Sequence, residues 1–102
     1  MPKLSKRRRL QQVFAWLQEE YPVRRECQLF VQKLDPEFQG YVLYDSKDIH
    51  VFIDDRLPTY AAIECLIHEW SHVKSRRIGH GLVFIEWNHK IEKKFWKWRS
   101  TS

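Results

Sequence analysis

Residues 66–84, LIHEWSHVKSRRIGHGLVF, contain three of the five histidines of this 102-residue chain. The stretch begins as an apolar helix pattern and ends in a histidine between two glycines. His68 and His72 form an HExxH pattern with Glu69. Residues i and i+4 of a helix project from one face, one turn apart, so the two imidazoles can share a metal ion. Glu69 then lies beside the open side of the ion, where a carboxylate can take a proton from water.

A catalytic zinc takes three protein ligands and keeps one position open. The candidates for the third ligand are His80, Glu86 and His89. His80 is the better choice, although on an unbroken helix it would lie about 12 Å beyond the second histidine of the pair. A turn at Gly79 can end the helix and bring the chain back, and we expect Gly81 to let the backbone pass close to the site. Glu86 remains the alternative, on the following helix.

Hydrophobic periodicity outside this stretch predicts an α+β fold in a single domain, residues 1–102. Apolar residues at helical spacing alternate with shorter segments of period two. The expected helices cover residues 7–20, 59–77 and 82–98. The expected strands cover residues 26–33, 41–44 and 49–54. We expect the strands to form an antiparallel meander and residues 1–6 to be a loose basic tail.

The net charge of +5 is unevenly distributed. Residues 35–69 carry eight acidic and two basic side chains, whereas the remainder carries sixteen basic and five acidic ones. Basic clusters at both ends of a chain often mark nucleic-acid contact, and a basic, well-solvated surface is the alternative. The candidate nucleic-acid contacts are Lys6, Arg7, Arg8, Arg9, Lys94, Lys97 and Arg99.

Several classes of protein are excluded by composition. Cys27 and Cys65 are not part of a CxxC, so neither a zinc ribbon nor a disulfide framework is expected, and Cys65 is expected to be a packed core residue. The sequence contains no stretch of 18 uninterrupted apolar residues, so a membrane span is not expected. The first residues lack the apolar core of a secretory signal. We therefore expect an intracellular, reducing compartment.

The IHEWSH run and the GHGLVF run that follows it resemble the SprT-like metallopeptidase family, which includes the Spartan DNA-dependent proteases. That family is marked by HExxH on a helix and by a third histidine in an HGxxF context, here His80 to Phe84. The resemblance implies a small minigluzincin-like fold and zinc held by His68, His72 and His80. It also implies that Glu69 is the catalytic acid/base and that peptide bonds are hydrolysed, often in proteins bound to DNA. This chain contains no cysteine-rich zinc ribbon.

The leading hypothesis is thus a zinc-dependent metalloprotease in which Glu69 moves the proton of the attacking water. If the strand over 49–54 is an edge, an extended substrate could pair with it. The candidates for stabilising the oxyanion are Tyr44, His50, Tyr60 and His89. Two alternatives remain open: a nucleic-acid-binding module with a structural zinc, and a regulatory protease that cleaves one specific partner. A structural zinc site is normally closed by a fourth ligand, which favours the enzyme.

Overall fold

A computed structural model describes residues 5–76 and 80–101 of the chain. The described residues form three helices and three strands, and the fold is α+β as predicted. The helices are α1 (Lys6–Glu20), α2 (Thr59–Ser75) and α3 (Leu82–Thr101). The strands are β1 (Glu26–Gln32), β2 (Gly40–Tyr44) and β3 (Asp48–Asp54). Helices and strands therefore follow one another along the chain as the periodicity predicts.

The sheet is mixed, and its strand order is β1-β3-β2. β2 and β3 form an antiparallel hairpin, but β1 pairs in parallel with β3. The predicted antiparallel meander is therefore wrong for β1. The reason lies in burial: Ile49, Val51 and Ile53 make β3 the most apolar strand, and the middle of the sheet covers it best. The connection over residues 33–39 is long enough to cross the roughly 10 Å from one edge of the sheet to the other.

Helix α2 lies at the centre of the fold and contacts α1, α3, β2 and β3. Leu66, Ile67 and Trp70 on its core side are almost completely buried. The Trp70 ring packs edge-on against Phe14 of α1, with ring centroids 5.7 Å apart. Trp70 Nε1 also donates a hydrogen bond of 3.2 Å to the carbonyl of Tyr21. These contacts fix the rotation of α2 about its axis, so that His68 and His72 face away from the core.

Helix α3 packs against α1 through aromatic side chains. Trp16 of α1 stacks on Trp98, with ring centroids 5.3 Å apart, and meets Phe95 edge-on at 5.6 Å. Tyr21, which follows α1, meets Trp87 edge-on at 6.0 Å. These rings close the core on the side away from the sheet. Over residues 5–76 and 80–101, no helix has both the length and the apolar character needed to cross a membrane.

Two cations hold the turn that leads from β3 into α2. Lys6 donates to the carbonyl groups of Asp55 and Leu57. Lys6 and Ser5, which caps α1, are therefore not part of the loose tail that was predicted for residues 1–6. Residues 1–4 lie outside the described residues. Arg56 forms an ion pair of 2.6 Å with Asp54. Its hydrogen bonds lower the pKa of the Asp54 carboxyl to about 2, so the pair is ionised at neutral pH. The start of α2 is thereby tied to α1 and to the sheet.

Strand β2 approaches α2 most closely at Gly40. A Cβ atom there would lie 2.7 Å from Cys65 Sγ and 2.8 Å from the carbonyl oxygen of Phe52. Only glycine permits this approach. Burial raises the pKa of the Cys65 thiol to about 12, so this cysteine is neutral at physiological pH. Both Cys27 and Cys65 are free thiols.

We expect Gly40→Ala to lower the free energy of unfolding by about 1–3 kcal/mol, because the backbone oxygen of a central strand cannot move aside easily. Denaturant unfolding measures this change. Gly81→Ala is the matched control, since a Cβ there meets no atom within 4 Å, and its cost should stay below about 1 kcal/mol. Equal costs at the two positions would contradict the tight approach of β2 to α2.

Candidate metal centre

Three histidine side chains converge at one end of a cleft between α2 and the sheet. His68 Nε2 lies 3.3 Å from His72 Nε2 and 3.1 Å from His80 Nε2. The three ligand atoms all lie within 4.8 Å of one another. Two nitrogen atoms bound to one tetrahedral zinc at roughly 2.0–2.1 Å are separated by about 3.3–3.4 Å. The three histidines can therefore hold a metal ion.

Hydrogen bonding alone does not account for this arrangement. A neutral imidazole nitrogen either donates one hydrogen bond or accepts one, so His68 Nε2 can satisfy only one of its two close neighbours. Burial, and then the neighbouring imidazoles of His72 and His80, lower the pKa of His68. The neutral form that these surroundings favour is the form that binds metal ions. The donor set thus fits a divalent cation that accepts imidazole nitrogen.

The end of α2 brings the third histidine back to the pair. The helix stops at Ser75, one turn after His72, and the N–H of Arg76 donates to the His72 carbonyl at 2.9 Å. His80 then lies two residues before Leu82, where α3 starts. The turn predicted at Gly79 lies outside the described residues. The close approach expected at Gly81 is wrong, because the space around its Cα is open.

Phe84 forms the wall behind the three imidazoles. Its ring is buried, and its centroid lies 4.9, 4.4 and 4.8 Å from the ring centroids of His68, His72 and His80. In the sequence, Phe84 is the last residue of the HGxxF motif, but no contact with the ligands is assigned to it. It lies four residues after His80 and two residues after Leu82, where α3 starts. Phe84 thus links α3 to the ligand residues of α2.

Glu69 lines the same cleft, beside the histidine pair. Its side chain is buried although it carries an ionisable group. Burial raises the pKa of the Glu69 carboxyl to about 7. The carboxyl also lies close enough to Tyr44 for its charge to act on the phenol: burial, and then Glu69, raise the pKa of Tyr44. A carboxyl group with this pKa can exchange a proton near neutrality.

The cleft has a volume of about 1000 Å³. Strand β2 forms one wall through Tyr41, Val42 and Tyr44. In the described sheet β2 has a strand neighbour on one side only, so its other edge carries no strand pairing there. Substrate pairing with residues 49–54 was conditional on their being an edge strand, and that condition is not met, because they form the central strand β3.

The other candidates for ligand or helper are placed elsewhere. Glu86 and His89 are exposed on α3 and are not members of the histidine cluster. His50 packs against Phe30, with ring centroids 5.4 Å apart, and Tyr60 packs against Trp96. Of the four residues proposed for oxyanion stabilisation, Tyr44 is the one that lines the cleft.

The predicted nucleic-acid contacts are largely engaged within the fold. Lys6 holds the β3–α2 turn, and Lys94 forms an ion pair of 3.1 Å with Glu20. The guanidinium of Arg99 lies over the Trp96 ring at 5.3 Å, and Lys97 also has interactions in the described structure. The remaining three candidates, Arg7, Arg8 and Arg9, lie on the first turn of α1. Nucleic-acid binding therefore stays a prediction.

Comparisons of the chain with protein-family models, with curated proteins and with solved structures find no match. The described residues form a small α+β fold in which three histidines can hold a metal ion.

We expect the purified protein to contain about one metal ion per chain, and His80→Ala to weaken metal binding by more than about 100-fold. Loss of a group that merely orients a ligand already costs roughly 10–100-fold. Elemental analysis and competition with a chromogenic chelator measure both quantities. His89→Ala is the matched control and should bind like the wild type. Equal affinities in the two variants would exclude His80 from the site.

Proposed function

We propose that the chain is a zinc-dependent metallopeptidase of SprT-like type that hydrolyses peptide bonds in extended protein segments. The observation that carries this proposal is the convergence of three imidazole Nε2 atoms beside the buried Glu69, at the end of an open cleft. The HExxH and HGxxF motifs, on which the SprT-like resemblance rests, supply these residues. Both motifs thus contribute to one site.

Zinc is the ion that best suits three neutral imidazole ligands. When bound, it would supply a Lewis acid that polarises the scissile carbonyl. Among the described residues, the cluster offers three ligands, His68, His72 and His80, and the cleft lies next to them. A structural zinc site is normally closed by a fourth protein ligand. This difference favours the enzyme over the alternative of a binding module with a structural zinc.

Glu69 is the proposed general acid/base. It follows the ligand His68 directly in α2 and lines the cleft where a substrate carbonyl must enter. There it takes a proton from the attacking water and later gives it to the leaving amine.

Strand β2 is the proposed binding edge for the substrate. An extended peptide can pair with the free side of an edge strand through main-chain hydrogen bonds. β2 spans Gly40–Tyr44 and lies along the cleft beside the histidines. A substrate paired with it would pass close to Glu69. The sequence offers this role to residues 49–54 only if they form an edge, and the central position of β3 does not meet that condition.

Tyr44 is the proposed oxyanion donor. Its phenol lines the cleft, interacts with the charge of Glu69 and is 54% exposed, so it is accessible to a substrate. A hydroxyl that donates to the developing oxyanion lowers the barrier without being needed for substrate binding. Tyr44 therefore acts on the rate of the chemical step.

The natural substrate decides whether the chain is a general protease or a regulatory protease that cleaves one specific partner. General proteolysis, including that of DNA-associated proteins, and cleavage of one specific partner use the same site and differ only in what enters the cleft. The two free thiols fit a reducing compartment. We accordingly propose an intracellular protein substrate.

We expect Glu69→Gln to keep the bound zinc and to lower peptide hydrolysis by about 10²–10⁴-fold, because the amide cannot accept the proton. Cleavage of an unfolded protein such as casein, followed by mass spectrometry, and metal analysis of the same sample test both statements. Wild-type activity in the variant would remove Glu69 from the mechanism. Absence of hydrolysis by the zinc-loaded wild type would count against the proposed function.

We expect Tyr44→Phe to lower kcat by about 10²-fold and to leave KM nearly unchanged, because the lost donor acts only in the transition state. Steady-state kinetics on a peptide cleaved by the wild type separate the two constants. Tyr60→Phe is the matched control, since Tyr60 packs against Trp96 and does not line the cleft. A change confined to KM in the Tyr44 variant would assign it to substrate binding instead.

A further inference from the structure

We propose that the cleft selects peptide segments that carry a carboxylate close to the scissile bond, and that Arg24, Arg25 and Arg76 bind this carboxylate. The inference rests on the proposed function, because it names the substrate class of the same site. All three arginines line the cleft that contains the histidines and Glu69. They come from two separate segments of the chain, the α1–β1 link and the end of α2.

Two hydrogen bonds bring these segments to the same end of the cleft. Trp70 Nε1 donates to the Tyr21 carbonyl at 3.2 Å, and Lys74 Nζ donates to the Pro22 carbonyl at 2.9 Å. The link that follows α1 is thereby fastened to the last two turns of α2. Arg76 lies two residues after Lys74, and Arg24 lies two residues after Pro22. The two arginines are therefore held at the same end of α2.

Arg25 extends this cationic rim toward the sheet. Its guanidinium donates to the carbonyl of Asp45 at 3.3 Å, in the turn between β2 and β3. Its charge also acts on Tyr44, the last residue of β2, by opposing the rise of the phenol's pKa that burial and Glu69 cause. Arg25 thus lies near the proposed oxyanion donor. A side chain of a substrate paired with β2 would meet this guanidinium.

The positive charge of the rim is not neutralised within the described residues. Glu69 is the single acidic residue among those that line the cleft. The described ion pairs join Arg56 to Asp54 and Lys94 to Glu20, so they do not involve the cleft arginines. Guanidinium groups bind carboxylates through paired, charge-assisted hydrogen bonds. The rim therefore attracts a carboxylate that the substrate supplies.

The backbone at Arg76 is independent evidence that this side chain is needed. Arg76 has φ 55° and ψ 31°, in the left-handed region, at the C-cap of α2. Glycine is the usual residue in this position because a Cβ is disfavoured there. Among the described non-glycine residues, Arg76 alone has a positive φ. An arginine in a position that suits glycine indicates a role for its side chain, and that side chain lines the cleft.

A peptide fits this cleft better than a nucleic acid does. The free edge of β2 offers main-chain groups that a peptide backbone can pair with, whereas a phosphodiester backbone lacks the matching N–H groups. The other walls include the apolar side chains of Val23, Phe38 and Val73. A cationic rim beside an apolar, strand-edged cleft suits a peptide with an acidic residue and hydrophobic neighbours.

The first experiment profiles cleavage of a proteome-derived peptide library by the zinc-loaded protein, read by mass spectrometry. We expect Asp and Glu to be enriched at one or two positions on one side of the cleaved bond. The triple variant Arg24→Gln, Arg25→Gln, Arg76→Gln should lose this enrichment while it still cleaves neutral peptides. The triple variant Lys33→Gln, Lys47→Gln, Lys93→Gln removes the same charge from exposed positions outside the cleft lining, and it should keep the enrichment.

A second library with amidated C-termini identifies the source of the carboxylate. Enrichment that survives amidation assigns recognition to an acidic side chain. Enrichment that occurs only at free C-termini and disappears on amidation assigns the same arginines to the terminal carboxylate of a peptide. Cleavage without acidic preference, identical in wild type and arginine variant, would overturn the inference and leave the proposed function standing.

The second experiment measures binding without catalysis. The Glu69→Gln variant is titrated calorimetrically with a glutamate-containing peptide and, separately, with the same peptide in which glutamine replaces the glutamate. The peptide is chosen from the cleaved sequences, or from the acidic library members if none is cleaved. We expect the glutamate peptide to bind about tenfold more tightly, and the arginine substitutions to abolish that difference. Arginine-dependent binding by a protein whose wild type cleaves nothing would sink the proposed function but support carboxylate recognition. Equal binding of both peptides, together with arginine-dependent binding of a single-stranded oligonucleotide, would refute carboxylate recognition and assign the arginines to nucleic-acid binding.

Discussion

The hydrogen bond from Trp70 Nε1 to the carbonyl of Tyr21 is the constraint on which the rest of the structure depends. It acts at a fully buried ring, and leaving its acceptor unpaired in the core would be costly. The bond fixes how α2 is rotated about its axis. It also fastens the end of the α1–β1 link to the same helix. The orientation of the histidine pair and the location of the arginine rim therefore both depend on this bond, together with the Phe14–Trp70 packing and the hydrogen bond from Lys74 to the Pro22 carbonyl.

Two residues of the HExxH motif pack in the interior, and the other three face the cleft. The two middle residues, Trp70 and Ser71, face the interior, where the Ser71 hydroxyl donates to the Ile67 carbonyl at 2.8 Å and lies 3.2 Å from Asn88 Oδ1 of α3. The outer residues face the cleft. His80 and Phe84, which follow α2 in the chain, complete the site. α2 packs against α1, α3 and the sheet, and its polar stripe of His68, Glu69 and His72 faces the cleft, where an ion is expected.

The elements of the fold could be predicted from the sequence better than their arrangement. Helical spacing places α1, α2 and α3, and the HExxH spacing places two histidines on one face whatever surrounds them. Alternation in β1 and β3 tells which side chains are buried, but it does not tell which strand is the neighbour, so the central position of β3 and the free edge of β2 were missed. The packing of Phe84 behind the three imidazoles and the place of Arg76 in the cleft lining could not be seen either. Both depend on contacts between α2 and segments distant in sequence.

The parallel pairing of β1 with β3 has a consequence for the order of folding. Tyr44 and Ile49 of the hairpin are five residues apart, whereas Glu26 pairs with Asp48, 22 residues further along the chain. Hairpins of this kind close in about 1–10 μs, and contacts between distant residues form more slowly because a longer loop must be closed. During synthesis β1 is made first but can join the sheet only after β3 has emerged. The last step of sheet formation is therefore the docking of the first strand.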